Sequence, residues 1–261
     1  MIDMKNVTFS FLLLLLGSPA FSQVQIIAHR GASYLAPENT VAAAKLGWEL
    51  NADAVEIDIY LSNDGQVMVN HDHTTKRTGT DSLVIAETHS DELRKLDVGR
   101  WKDEKYAGEK MPFVSEVLEI VPKGKKLVIE IKCGPEVLPA LKKAVKASGK
   151  KKQVVFIAFG WETILETKKQ FPKNDCYWLS SKAEGLAGRM NEAAQLGLEG
   201  VNLHYKLVNQ EVMGHAARLG LDVLSWTVDD PDEAKRLVDL GVSAITTNRP
   251  AWLREQLYAV E

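Results

Sequence analysis

The chain has 261 residues, of which 45% are hydrophobic and 26% are charged, a composition typical of a globular protein with a sizeable core. Its net charge of -3 and its pI near 6.1 argue against a surface that binds nucleic acid, because such surfaces need a clear excess of lysine and arginine. Any recognition of phosphate must therefore be local.

Residues 1–22 have the pattern of a signal peptide. A short region with Lys5 precedes an apolar run over 11–16, and Ala20 and Ser22 precede a predicted cleavage site ahead of Gln23. The run is shorter than the roughly 20 residues that span a bilayer, so no stable membrane insertion is expected. A buried N-terminal helix is the alternative. A signal peptide implies export, and the sequence leaves periplasmic and extracellular residence open.

Residues 23–261 alternate continuous apolar runs with amphipathic stretches, as in a parallel sheet covered on both faces. Strands are predicted near 26–29, 54–59, 127–132, 154–159, 176–179, 200–203, 223–228 and 244–247. Helices are predicted near 40–50, after an Asn39 cap, and near 135–148, 162–171, 188–196, 209–219 and 231–240. This repetition favours one α/β domain, a (β/α)8 TIM barrel. An open doubly wound sheet is the alternative, but no Gly-x-Gly-x-x-Gly turn follows the first strand.

The two cysteines are predicted to be free thiols. Cys133 follows one strand-like run and Cys176 begins another, which places them at opposite ends of parallel strands. That separation is too large for a disulfide.

A strand-like run at 67–70 interrupts the alternation after the second strand. Asp64-Gly65 separates the two runs and is a hairpin signal, and a strand that folds back there brings His71 near Asp58. Polar sequence then continues to about residue 111, which is too long for a simple connection. We therefore predict an insertion over the barrel mouth at about 60–112.

Charged residues that core packing does not select lie within otherwise apolar strands. Alternation places Glu56 and Asp58 on one face of the second strand, and Glu130 and Lys132 on one face of the next. If both faces point into the barrel, three carboxylates meet in a small volume, which is costly unless a cation lies among them. Such oxygen ligands suit Ca2+ or Mg2+ rather than zinc. Surface charges on an edge strand are the alternative.

Two histidines, His29 and His71, are predicted to reach the same mouth. Imidazoles near a metal can act as base and acid on opposite sides of a phosphorus atom. Arg30 and Lys132 carry charges that suit phosphate oxygens. Among the other histidines, His204 is the one expected near the site, because it follows a strand.

Several motifs together resemble the glycerophosphodiester phosphodiesterase family. They are His29-Arg30-Gly31 with Ala36-Pro37-Glu38-Asn39-Thr40, then Glu56-x-Asp58, Asp64-Gly65 and His71-Asp72, then Glu130-Ile131-Lys132, and near the end Trp226-Thr227-Val228-Asp229 and Gly241 with Thr247-Asn248-Arg249-Pro250. The likeness covers nearly all of residues 23–261. Two positions depart from the family pattern: Ala158-Phe159 stands where the family often has Ser-Phe, and Asn248 where it often has Asp.

The resemblance implies a phospholipase C-like phosphodiesterase barrel that converts a small-molecule glycerophosphodiester to glycerol 3-phosphate and an alcohol. The 2-hydroxyl of the glycerol would attack phosphorus, and water would then open the cyclic phosphate. The residues it assigns are Glu56, Asp58 and Glu130 to one divalent cation, Ca2+ or Mg2+, His29 and His71 to general acid and base, Arg30 and Lys132 to the phosphate, and Trp226 to the mouth beside the substrate.

Two other hypotheses stay open. A phospholipase C or sphingomyelinase D acting on membrane lipids is expected to expose apolar residues near the mouth, whereas the insertion is mainly polar in sequence. A barrel that binds glycerophosphodiesters without turnover would be natural if His29 or His71 were missing, or if Glu130 were Gln. The sequence predicts neither the preferred alcohol nor the oligomeric state.

Overall fold

The computed structural model describes residues 23–258, in which eight parallel strands close into a barrel with helices outside. The first strand, β1, pairs with both β2 and β9, which closes the circle. The strands are β1 (Gln25–Ala28), β2 (Ala54–Leu61), β3 (Val67–Val69), β4 (Lys126–Ile131), β5 (Val154–Ala158), β6 (Cys176–Ser180), β7 (Gly200–His204), β8 (Asp222–Trp226) and β9 (Ala244–Thr247). The short β3 lies outside the circle and is antiparallel to β2. The predicted TIM barrel is confirmed.

The helices follow the strands as predicted, with two corrections. They are α1 (Val41–Glu49), α2 (Ser90–Leu93), α3 (Val114–Glu119), α4 (Leu138–Ser148), α5 (Trp161–Gln170), α6 (Leu186–Gln195), α7 (Gln210–Leu219), α8 (Pro231–Leu240) and α9 (Pro250–Tyr258). The helices α2, α3 and α9 were not predicted. The cap of α1 is Thr40, whose hydroxyl accepts from Ala43 N at 3.1 Å, and not Asn39 as predicted.

Two apolar layers follow from the alternation of side chains along each strand. On β2, Val55, Ile57 and Ile59 face outward and pack beneath the helices. The inward face begins with the apolar Ala54, which packs with Val128 and other apolar side chains in the lower part of the barrel. Continuing up the same inward face, the next positions of β2 are polar. The change from apolar to polar along the barrel axis places the polar residues at the carboxyl ends of the strands.

The excursion after β2 is a hairpin followed by a compact insertion. The extended β2 pairs with β3 through Ile59 and Val69, and Gly65 at the turn has a φ of +77°, which favours glycine. The insertion that follows encloses a small core of its own, formed by Met68, Ile85, Leu93, Leu96, Val98 and Met111. This core holds the insertion together above the barrel mouth.

Both cysteines are free thiols, as predicted. Cys176 begins β6 at the bottom of the barrel, and Cys133 follows the end of β4 at the mouth. The predicted signal peptide lies outside the described residues. Between residues 23 and 258, none of the helices combines the length and apolar character that crossing a bilayer requires.

Candidate active site

Three carboxylates converge inside the mouth of the barrel. Glu56 and Asp58 are two residues apart on β2, and the β2–β4 register places Glu130 directly beside Asp58. One oxygen from each of the three lies within 4.8 Å of the others, as a single cation would require. Glu56 and Asp58 are almost completely buried, at 3% and 1% exposure. The sequence prediction that these three residues meet is therefore supported by their geometry.

The cluster carries negative charge that its surroundings only partly neutralise. Glu56 Oε1 and Asp58 Oδ1 are buried and have no hydrogen-bonding partner among residues 23–258. Burial, together with the charges of Asp58 and Glu130, raises the pKa of Glu56 well above its usual range. Burial and the charge of Asp58 raise the pKa of Glu130 to about 7. Buried carboxylate oxygens that lack partners and face one another fit a hard divalent cation.

Arg30 and Lys132 flank the carboxylates on two sides. Arg30 N donates to Glu56 Oε2 at 2.8 Å, and Arg30 Nε lies 3.4 Å from Asp58 Oδ2. Lys132 Nζ lies 2.8 Å from Glu130 Oε1 and 3.6 Å from Asp58 Oδ1. Both cations therefore border the space where a phosphate would meet the cluster.

A strained turn positions the backbone of Arg30. Its φ is +54°, and the following Gly31 has a φ of +81°. A Cβ atom at Gly31 would lie 2.4 Å from the carbonyl carbon of Ala43, so only glycine fits there. The His-Arg-Gly sequence is thus explained in part by a turn that presents the Arg30 N–H to Glu56.

Asn39, which was predicted to cap the first helix, is a residue of the candidate site. Its Nδ2 donates to Asp58 Oδ2 at 2.8 Å, and its Oδ1 accepts from Asp58 N at 3.1 Å. The pair fixes the orientation of the Asp58 carboxylate. The signal available in the sequence was the position of Asn39 inside the Pro-Glu-Asn-Thr motif.

His29 extends from the end of β1 and is held through its Nδ1 atom. This atom lies 2.8 Å from Asn248 Oδ1, and Asn248 Nδ2 donates to Asp229 Oδ2 at 2.6 Å. Because the amide orientation is fixed by Asp229, Nδ1 must be the donor, which leaves Nε2 as the basic nitrogen. Burial, with the charge of Arg30 second, lowers the pKa of His29 to about 4.

His71 follows β3, and the hairpin brings it to the carboxylate cluster, as predicted. The preceding residue, Asn70, donates from its backbone N–H to Asp58 O at 3.0 Å. His71 Nδ1 lies 2.7 Å from Asp72 Oδ1, and Nε2 lies 3.3 Å from Lys132 Nζ. The opposite environments of the two histidines, an amide for His29 and a carboxylate for His71, suit different proton-transfer roles.

An ion-pair chain connects the insertion to the barrel. Arg77 donates through Nε to Asp72 and through both terminal nitrogens to Glu38, at 2.6–2.8 Å. Glu38 also accepts from Arg30 Nη1 at 2.8 Å. Burial opposes ionisation of Glu38, but its bonds with Arg77 and Arg30 outweigh burial and lower its pKa to about 2. No sequence pattern predicts this chain of ion pairs, because it joins residues 39 positions apart.

Trp226 lies at the mouth end of β8, half-buried, with its Nε1 donating to Asn202 O at 3.2 Å. Its ring packs edge to face against Phe159 and His204, with centroids 5.5 and 5.3 Å apart. His204 thus lies near the mouth, as expected. His73 lines an open surface pocket of about 620 Å³ beside His71, whereas His215 lies on the outer helix α7.

The comparisons with known proteins agree with this geometry. Residues 29–252 match the Glycerophosphoryl diester phosphodiesterase family. A glycerophosphodiester phosphodiesterase of Caldanaerobacter subterraneus is 34% identical over 235 residues, covering 87% of this chain and 95% of the relative. One of Bacillus subtilis is 29% identical over 251 residues, covering 87% and 84%.

Solved structures give the same result. A phosphodiesterase of Oleispira antarctica, in complex with the product sn-glycerol-3-phosphate, superposes with a TM-score of 0.83 at 27% identity, covering 89% of this chain and 96% of that one. The match over residues 29–252 begins directly after β1 and extends across all the other strands of the barrel. The chain therefore belongs to the glycerophosphoryl diester phosphodiesterase family, a family of phosphoric diester hydrolases.

Proposed function

We propose that this protein hydrolyses a glycerophosphodiester to glycerol 3-phosphate and an alcohol, with one divalent cation and two histidines. The observation that carries the proposal is the convergence of Glu56, Asp58 and Glu130, in which Glu56 Oε1 and Asp58 Oδ1 lack hydrogen-bonding partners among the described residues. His29 directly precedes Arg30, which binds Glu56, and His71 contacts Lys132, which binds Glu130. Both imidazoles are thus linked to the carboxylate cluster.

The residues that would hold the cation are Glu56, Asp58 and Glu130. A bound Ca2+ or Mg2+ supplies charge that neutralises phosphoryl oxygens and lowers the pKa of an attacking hydroxyl. In this proposal, the side chains of Arg30 and Lys132 bind the remaining phosphoryl oxygens and orient the diester.

We assign the general base to His29. Its depressed pKa keeps the imidazole neutral at pH 7, and the hydrogen bond to Asn248 leaves Nε2 free to accept a proton. His29 takes the proton of the glycerol 2-hydroxyl as that oxygen attacks phosphorus, and the bond from phosphorus to the alcohol oxygen breaks.

We assign the general acid to His71. Asp72 Oδ1, 2.7 Å from Nδ1, orients the imidazole so that Nε2 gives a proton to the departing alcohol oxygen. In the second half, His71 accepts a proton from water as it opens the cyclic phosphate, and His29 returns its proton to the 2-oxygen. Both histidines end in their starting states.

The test is an assay of the purified protein with glycerophosphocholine, with and without EDTA. Turnover is expected to stop with EDTA and to return with added Ca2+ or Mg2+. Glu130→Gln should lose turnover, whereas Glu184→Gln, an exposed glutamate in a loop, should retain it. An unchanged rate in EDTA would contradict metal dependence, and binding of the diester without turnover would favour the non-catalytic barrel.

We also propose that the protein is exported, on the basis of the pattern in residues 1–22. The mass of the protein recovered from a producing cell tests this point. A chain that begins at Gln23 is expected, and a mass that includes residues 1–22 in all of the recovered protein would contradict export by cleavage.

A further inference from the structure

Large apolar side chains that reach solvent are concentrated on one end of the barrel. Within residues 23–258, six such side chains are more than a third exposed, and five of them lie at the mouth. Leu196, which follows α6 at the bottom of the barrel, is the exception. The five at the mouth are Tyr34, Leu35, Trp101, Phe159 and Trp252. The mainly polar sequence of the insertion did not predict this distribution.

Four of these side chains form one continuous surface with two cations. Arg249 Cζ lies 3.7 Å from the centroid of the Tyr34 ring and 5.2 Å from that of Trp252. Lys102 Nζ lies 6.0 Å from the Tyr34 ring and 5.8 Å from the Trp101 ring. Leu35 is next to Tyr34 in the chain. We call this surface the mouth patch; it consists of Tyr34, Leu35, Trp101, Lys102, Arg249 and Trp252.

The charge of the mouth patch is positive. Neither Lys102 nor Arg249 forms an ion pair with any carboxylate among residues 23–258. The nearby carboxylates have other partners: Glu104 pairs with Arg100, and Asp103 pairs with Lys105. Both cations therefore lie among exposed aromatic rings without a carboxylate partner in the described part of the chain, where Lys102 Nζ donates only to the backbone oxygen of Ser33, at 2.8 Å.

We propose that the mouth patch docks the protein on an anionic phospholipid surface. Trp and Tyr rings favour the level of the lipid head groups, because the apolar part of each ring can contact lipid while its polar group contacts water. Lys and Arg beside them are attracted to anionic head groups, and Leu35 supplies an apolar side chain that can enter the acyl boundary. This combination fits a lipid surface better than an acidic peptide, because four of the six side chains in the patch are large apolar or aromatic groups that reach solvent.

The mouth patch is directly connected to the candidate active site. Tyr34 N donates to Asn248 O at 3.3 Å, and Ser33 Oγ donates to Asn248 Oδ1, the atom that holds His29. Docking through the mouth patch would therefore bring the barrel mouth to the head-group layer, where phosphodiesters are carried by lipids. This inference concerns location and goes beyond the hydrolysis proposed above.

The test is co-sedimentation with vesicles of phosphatidylcholine alone and of phosphatidylcholine mixed with phosphatidylglycerol. Wild type should bind the mixed vesicles more tightly than vesicles of phosphatidylcholine alone. Added salt should reduce this difference in affinity. Leu35→Ser should weaken binding by about 10-fold, as expected for one buried apolar side chain. The matched control is Leu196→Ser, since the two leucines are 50% and 53% exposed at opposite ends of the barrel. All variants carry the same N-terminus, so any contribution from residues 1–22 is common to them.

A second variant tests the contribution of the positive charge of the mouth patch to vesicle binding. Lys102→Gln should weaken binding to the mixed vesicles by about 5-fold and leave binding to phosphatidylcholine alone unchanged, whereas Lys142→Gln, on the exposed face of α4, should change neither. Turnover of soluble glycerophosphocholine should be unaffected in Leu35→Ser, which separates failure of docking from failure of the active site.

Three results would overturn the proposal. They are equal loss of binding in Leu35→Ser and Leu196→Ser, no preference of wild type for the anionic vesicles, and loss of soluble turnover along with binding in Leu35→Ser. Self-association that depends on Leu35 without vesicle binding, measured by light scattering, would assign the patch to a second copy of the chain instead.

Discussion

Asn39 and Asp58 are joined by two hydrogen bonds, one from the Asn39 amide to the Asp58 carboxylate and one from the Asp58 backbone to the Asn39 carbonyl oxygen. The pair leaves the other Asp58 oxygen, Oδ1, buried and without a hydrogen-bonding partner among residues 23–258. Asn39 thus acts as a partner that orients a proposed metal ligand.

Asn39→Ala should therefore weaken the binding of a divalent cation. Loss of such an outer partner typically costs about 10–100-fold in metal affinity. Calorimetric titration of the metal-free protein with Ca2+ measures the change. Asn191→Ala, on the exposed face of α6, is the matched control and should bind as wild type does. Equal affinity in the two variants would show that Asp58 does not depend on Asn39.

Glu38 should stabilise the folded protein in a pH-dependent way. Its pKa is lowered from 4.5 to about 2, so its contribution is complete above about pH 4.5 and is lost as the pH falls toward 2. At pH 7, Glu38→Gln should lower the free energy of unfolding by about 1–2 kcal/mol, allowing for solvent screening of the half-exposed Arg77.

Urea unfolding at several pH values measures this difference. The difference in the free energy of unfolding between wild type and Glu38→Gln should become smaller as the pH falls from about 4.5 to about 2. Glu184→Gln is the control for loss of one negative charge. A difference in the free energy of unfolding that stays constant or increases at low pH would contradict a lowered pKa of Glu38.

His29→Ala should lower turnover by roughly 100-fold or more, since a positioned acid–base group typically contributes about that much. The fold should stay intact, as measured by circular dichroism and thermal unfolding. His215→Ala, on the outer helix α7, is the control and should retain full turnover. Loss of the fold in His29→Ala, or an unchanged rate, would count against the assignment of His29.

Asn248→Asp should change the pH dependence of turnover. Activity needs neutral His29, so the rate rises with pH as His29 loses its proton. A carboxylate in place of the Asn248 amide would favour the charged imidazole and raise the pKa of His29. The acid limb of the pH–rate profile should then move to higher pH. A profile that does not move, or moves to lower pH, would contradict the role of Asn248 in holding His29.

The elements that the sequence predicted best are those with strong periodicity. Alternation on β2 placed Glu56 and Asp58 inside the barrel, and Asp64-Gly65 placed the chain before His71 beside Asp58. Both predictions depend on local geometry, which the sequence determines directly.

The missed contacts depend on tertiary structure. Asn39 precedes a helix and is a preferred capping residue, so its bond to Asp58 was not predicted. The Glu38–Arg77 pair joins a barrel loop to the insertion, and no periodic pattern marks it. Likewise, Leu35 lies in the loop after β1 and Trp101 lies in the insertion, and only the fold brings them to one surface.

A Ca2+ titration of EDTA-treated wild type and Glu130→Gln, followed by calorimetry, tests whether the three carboxylates bind a cation, with Glu184→Gln as the control. The carboxylate cluster predicts one bound ion per chain in wild type and in Glu184→Gln, with binding abolished or strongly weakened in Glu130→Gln. Binding of equal affinity and stoichiometry in Glu130→Gln and wild type would contradict the assignment of the cation to Glu56, Asp58 and Glu130.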